Sequence, residues 1–184
     1  MSFEIEMYNP CEDGLEYYKS KSSFKEAWED CQRGDWMLWT AKKIGVGIRD
    51  LTLAKALCAK TVLHLMNDKR SLEAVKVAED FGRGNVDRDV LDAAASAAFS
   101  AAAAAAAFSA SASAFAAAAA YAAAYAAAYA DAAAFAATYA ATYDASAAYD
   151  ADAARLENEL KTANTCREIL TDSVFGIVGI KNEF

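Results

Sequence analysis

Residues 51–66 read LTLAKALCAKTVLHLM, and the fold turns on the spacing inside this stretch. Ala54, Leu57, Cys58, Thr61, Val62 and Leu65 follow the i, i+3, i+4, i+7 interval that lines apolar side chains along one side of an α-helix. A half-buried strand alternates with a period of two, and the surrounding sequence shows no such alternation. The spacing therefore predicts a helix starting at Asp50 or Thr52, inside an all-α protein.

Towards the N-terminus, residues 36–45, WMLWTAKKIG, predict a second helix with Asp35 as N-cap and Gly45 as its closing residue. Residues 22–34, SSFKEAWEDCQRG, place Ser23 three positions before Glu26, a capping-box pattern. That helix is expected to run about three turns to Gly34. Towards the C-terminus, Ser71 is the expected cap of residues 72–82, LEAVKVAEDFG, which Gly82 and Gly84 would end. Asn85 then caps the next helix, with Asp87 and Asp89 in a first turn where the helix dipole favours negative charge.

That next helix enters a tract of very few residue types. Residues 93–154 contain 40 Ala, ten aromatics, six Ser, two Thr and four Asp, and all eight glycines and the single proline lie elsewhere. Ala loses no rotamer freedom in a helix, so low complexity here predicts helix rather than disorder. From Tyr121 the aromatics fall at 121, 125, 129, 135, 139, 143 and 149, a 14-residue unit equal to two heptads. At about 100° per residue, Tyr121, Tyr125, Tyr129, Phe135, Tyr139 and Tyr143 gather on one face. The remaining methyl-covered surface allows helices to approach closely. One straight helix over residues 86–171 would be about 130 Å long. Antiparallel helices turning near 109–113, Asp131 and Asp144 are expected instead, or a stack of short helices. The chain thus divides into a helical head, 1–92, an Ala/Tyr-rich region, 93–154, and a C-terminal helix with an apolar tail, 155–184, together one continuous unit. In the last part Leu156, Leu160, Ala163 and Leu170 form an amphipathic face, and VFGIVGI, residues 174–180, is expected to dock on the body.

Charge and composition exclude several classes. The chain has 184 residues and a net charge of −8, with 17 acids and 14 bases in residues 1–92 and four Asp without a base in 93–154. Nonspecific nucleic-acid affinity comes from Lys and Arg displacing counterions, so nucleic acid is not an expected partner. The acidic excess is also too diffuse for a DNA mimic. Residues 93–130 exceed the roughly 20 residues of a bilayer span, but Ala and Ser insert poorly and Asp89, Asp92 and Asp131 flank the run, so no membrane partner is expected. Residues 1–10 carry neither a basic n-region nor an apolar h-region, which predicts a cytoplasmic protein with Cys11, Cys31, Cys58 and Cys166 reduced.

No catalytic constellation emerges. His64, the only histidine, has Asp68 and Arg70 nearby but no nucleophile placed by a motif, which favours a structural network. Cys31, Cys58, His64 and Cys166 lack the close pairs of structural zinc sites, so no metal or cofactor is expected. Residues 81–85, FGRGN, set two glycines around Arg83, which suits an anion-binding nest or a plain helix–turn–helix joint. Trp36 and Trp39 share a helix face, either as core or as partner anchors. The candidate binding residues are Tyr121, Tyr125, Tyr129, Tyr139, Tyr143, Trp36, Trp39 and Arg83.

Residues 26–39, EAWEDCQRGDWMLW, residues 51–66, and residues 69–84, KRSLEAVKVAEDFGRG, followed by the Ala-rich run, resemble the Imm-5-like family of bacterial and phage-associated immunity proteins. The resemblance runs from about Cys11 into the early Ala tract. It implies an all-helical protein that protects its host by binding, and carries over no catalytic or binding residue. The expected function is non-enzymatic: stoichiometric neutralisation of a protein toxin or defence effector. One alternative is a phage anti-defence protein that sequesters a small signalling molecule such as a cyclic nucleotide, with Arg83, Arg88 or Arg155 joining the aromatics. Another is a structural homo-oligomer, for which the double heptad argues.

Overall fold

The computed structural model describes residues 4–65, 68–97 and 151–180, apart from the side chains of residue 65 and of 151–155. Among these residues every regular element is helical. A 3-10 turn at Ile5–Tyr8 precedes α1 (Glu12–Lys19), α2 (Phe24–Asp30), α3 (Gly34–Ile44) and α4 (Ile48–Lys60). A second 3-10 turn at Leu63–Leu65 leads to α5 (Lys69–Gly82), α6 (residues 88–97) and α7 (Ala151–Val178). The all-α expectation holds. The aromatic repeat, its expected turns, and Tyr121, Tyr125, Tyr129, Tyr139 and Tyr143 lie outside the described residues.

The stretch at residues 51–66 supplies the central element. α4 packs on α5 along one side and on α7 along the other, and α3 also lies against α7. Leu51, Ala54 and Cys58 meet Ala163, Cys166 and Leu170 of α7 in a core that α3 completes with Met37, Leu38 and Ala41. On the opposite side Ala56 meets Ala74, Val77, Ala78 and Phe81 of α5, with Leu91 and Ala95 of α6 behind them. Each large apolar side chain so buried stabilises the fold by roughly 1.5–3 kcal/mol. The Ser173 hydroxyl donates to the Asp50 carboxylate at 2.7 Å and Cys58 contacts Thr162, which makes α4 and α7 antiparallel.

Two glycines set the interhelical distances. A Cβ on Gly82 would stand 2.8 Å from the Leu53 Cα, and one on Gly34 would stand 2.8 Å from the Thr162 carbonyl carbon. Gly34 is therefore the first residue of α3, needed for its contact with α7, and not the end of the preceding helix. α2 stops at Asp30, where Cys31 turns extended.

Other boundaries also shift. α4 starts at Ile48 behind Gly47 and ends at Lys60, and the chain to Leu65 tightens into a 3-10 turn. Because α4 is covered on two sides, Thr52, Lys55, Ala56 and Ala59 are buried beside the expected stripe, while Leu57 and Thr61 are half-buried. Asp35 lies in the first turn of α3 and makes no cap, whereas Gly45 closes α3 in the left-handed region at φ 92° as expected. Asp68, not Ser71, caps α5, its carboxylate accepting from the Arg70 N–H; Ser71 is inside the helix and buried. Asp87 replaces Asn85 as the cap of α6, accepting from the Val90 N–H at 3.2 Å, and Asn85 donates to Asp80. In α7, Ala163 and Leu170 are buried, but Leu156 and Leu160 are exposed at 55% and 44%. The apolar tail is the end of α7 itself: Val174 and Phe175 are buried and Gly179 turns left-handed. No helix among the described residues is long and apolar enough to cross a membrane.

Candidate functional site

α1 carries Glu12 and Asp13 in its first turn and Lys19 in its last, both favourable towards the helix dipole, and none of its residues is fully buried. Its half-buried Tyr17 and Tyr18 point the chain towards α2. There the expected Ser23 cap forms, its hydroxyl accepting from the Glu26 N–H at 3.1 Å. The return bond shifts by one residue, the Glu26 carboxylate accepting from the Ser22 N–H at 2.9 Å and from the Ser22 hydroxyl. These bonds hold the Glu26 carboxyl below its usual range.

The last carbonyls of α2, like those of any helix, have no partner within it, and the groups that satisfy them build the site. The Tyr17 hydroxyl donates to the Ala27 carbonyl at 3.0 Å, and the Arg167 guanidinium of α7 donates to the Cys31 carbonyl. Burial pushes the Tyr17 phenol well up, which keeps it a donor. The Trp28 indole N–H donates to the Thr171 hydroxyl at 3.0 Å, fixing α2 on α7.

Between residues 5–18, α2 and α3 lies a cleft of about 600 Å³ whose walls include Tyr17, Tyr18, Phe24, Trp28, Trp36 and Trp39. The rings form two short chains. Tyr17 and Trp36 have centroids 5.6 Å apart at 48°, and Phe24 lies 6.3 Å from both Tyr18 and Trp28. The Arg33 guanidinium sits 4.7 Å from the Trp36 ring centroid. Asp35 orients it through two bonds of 2.9 and 2.6 Å, and Glu159 approaches at 3.9 Å. Those Asp35 bonds hold the guanidinium pKa above its ordinary value, and they leave its charge locally compensated. Lys21 and Lys43 lie 5.4 and 5.6 Å from the Tyr17 and Trp39 ring centroids. Asp13, Thr40 and Lys42 supply further polar groups on the cleft walls.

Such walls suit an apolar or aromatic group that stacks on rings, with a few polar contacts to orient it. Burial raises the Cys31 thiol, so the sulfur on the cleft wall is held as a thiol and not as the nucleophilic thiolate.

Of the candidate residues, Trp36 and Trp39 are in the cleft. Arg83 is not. It pairs with Glu79 at 2.9 Å beside left-handed Gly84, at the joint after α5. Arg88 pairs with Asp92 at 2.8 Å, and the side chain of Arg155 lies outside the described ones. His64 is exposed in the 3-10 turn after α4. Among the described residues no group of three or more His, Cys, Asp or Glu is placed to hold a metal ion. Tyr17, Tyr18, Trp28 and Arg33 are site residues that the sequence reading passed over. The available signal was residues 11–19, CEDGLEYYK, acidic at the front and basic at the end around a Tyr pair. Compared with family models, curated proteins and solved structures, the chain matches none.

Proposed function

We propose that the protein is a non-enzymatic immunity or inhibitor protein that neutralises a protein toxin or defence effector by stoichiometric association, with the aromatic cleft as its recognition site. The observation that carries this reading is Trp36, in contact with both Tyr17 and Arg33 on the wall of a cleft about 600 Å³ in volume. Trp and Tyr in a partly enclosed pocket are the side chains that most often dominate binding energy. The expectation drawn from residues 26–39, 51–66 and 69–84 with the Ala-rich run, that the chain is similar to the Imm-5-like immunity proteins, points in the same direction, although no family model matches the chain.

A second reading is favoured by Arg33 and Lys42 on the same walls: a small planar anion, such as a nucleotide, stacking on Trp36. The two bonds that Arg33 donates to Asp35 weaken this reading, because they occupy the guanidinium that a phosphate would need. The test is recovery of whatever binds the tagged full-length chain in host lysate, followed by sedimentation and mass spectrometry after denaturation. A one-to-one complex with one protein supports the first reading. A released nucleotide without protein overturns it in favour of the second, and self-association alone overturns both.

A further inference from the structure

The seam between α4 and α7 holds two thiols that the cleft does not use. Cys58 and Cys166 have Sγ atoms 3.9 Å apart, and both residues are fully buried. Each thiol also reaches a carbonyl, Cys58 that of Thr162 at 3.7 Å and Cys166 that of Gly34 at 3.6 Å. The sulfurs are thus in van der Waals contact, within a closure of about 2 Å of the disulfide bond length. Ala54 and Ala163 belong to the same cluster, and their small side chains oppose little to a slight approach of the two helices.

We propose that Cys58 and Cys166 form a latent disulfide site, closed by hydrogen peroxide and tying α7 covalently to α4. One thiolate attacks the peroxide O–O bond, forming a sulfenic acid and releasing hydroxide. The second sulfur then attacks the sulfenic sulfur, the S–S bond forms, and hydroxide leaves as water once protonated. Both thiol protons end in water, and the two electrons lost by the sulfurs reduce the peroxide. A small oxidant suits this site, since bulky disulfides have no path to buried sulfur.

Burial makes the site slow. The contact with Cys58, followed by desolvation, raises the Cys166 thiol well above its ordinary range, so thiolate is scarce at neutral pH. The site answers sustained oxidising exposure, passing through local opening of the seam. Cys31, also buried and close enough to raise the same thiol, is the competing partner.

The test uses the full-length chain carrying Cys11→Ser, which removes the exposed thiol. After hydrogen peroxide treatment, denaturing alkylation and non-reducing peptide mapping, the expected product is a Cys58–Cys166 crosslink lacking two hydrogens. The thermal midpoint should rise by roughly 10 °C, as for a closed loop of this length, and fall back with dithiothreitol. In Cys58→Ala the peroxide-dependent rise disappears. The proposal is overturned if both thiols are still alkylated after sustained exposure continued well beyond that which fully oxidises Cys11 in the unsubstituted chain. It is equally overturned if Cys166 is found joined to Cys31.

Discussion

Single residues show where local pattern and burial disagree. Ser71 has the sequence position of an N-cap, but Asp68 takes that role and leaves the Ser71 hydroxyl buried with no hydrogen-bond partner. The two roles give opposite signs. A capping serine loses about 1 kcal/mol on replacement, whereas Ser71→Ala is expected to stabilise by about 1 kcal/mol, because it removes an unsatisfied buried group. Urea unfolding reads the sign directly. Asp68 gives a pH effect: its bonds to the Arg70 side chain lower its carboxyl from 3.8 to about 2. A depressed carboxyl stabilises the fold above its ordinary pKa and loses that contribution as pH falls through the folded value. Asp68→Asn keeps a capping oxygen without the charge. It is expected to be less stable than the parent at pH 7 and to equal it near pH 2, by thermal melts across that range. Lys55 was not legible at all, since a lysine in a helical pattern reads as solvent-facing and here is 0% exposed. Arg33 was missed for a related reason: its use depends on Trp36 and Asp35 being gathered around it, which spacing does not reveal.

At the scale of elements, helix identity was readable and helix ends were less so. Periodicity found α4, the Ser23 cap found α2, and Gly45 ended α3, because each of these depends on neighbours within one turn. Gly34 misled because its local meaning, a helix terminator, competes with a tertiary one: it faces Thr162 across 128 positions, and no local rule holds that information. The same contact makes a prediction. Gly34→Ala and Gly82→Ala should each destabilise by about 1–3 kcal/mol, since their Cβ atoms would press on backbone in the facing helix. Gly176→Ala should stabilise by about 0.5–1 kcal/mol, because the position is helical and nothing lies within 4 Å of its Cβ. Denaturant midpoints for the three variants check the contrast. A loss of stability at Gly176 equal to that at Gly34 would contradict the account, because close approach would then not distinguish the two sites.

Over the whole molecule, the described helices are joined by the last of them. α7 supplies Thr171 to Trp28, Arg167 to the Cys31 carbonyl, and Cys166 and Leu170 to the core of α3 and α4. Without it Met37, Leu38 and Trp28 would face water, so a chain ending before residue 151 is expected to lose cooperative thermal unfolding by circular dichroism. The long separation along the chain explains why the cleft was only half legible. Trp36 and Trp39 could be singled out from their spacing, but their neighbours Tyr17 and Trp28 are placed by the ends of α2 and by α7. The proposed recognition site is tested most directly by titration calorimetry. The species recovered with the full-length chain is titrated against the wild type and against Trp36→Ala, with equal helicity established first by circular dichroism. The expected result is one-to-one binding that weakens by roughly 30-fold or more in Trp36→Ala, the loss of a central aromatic anchor. Equal affinity of the two chains would contradict it.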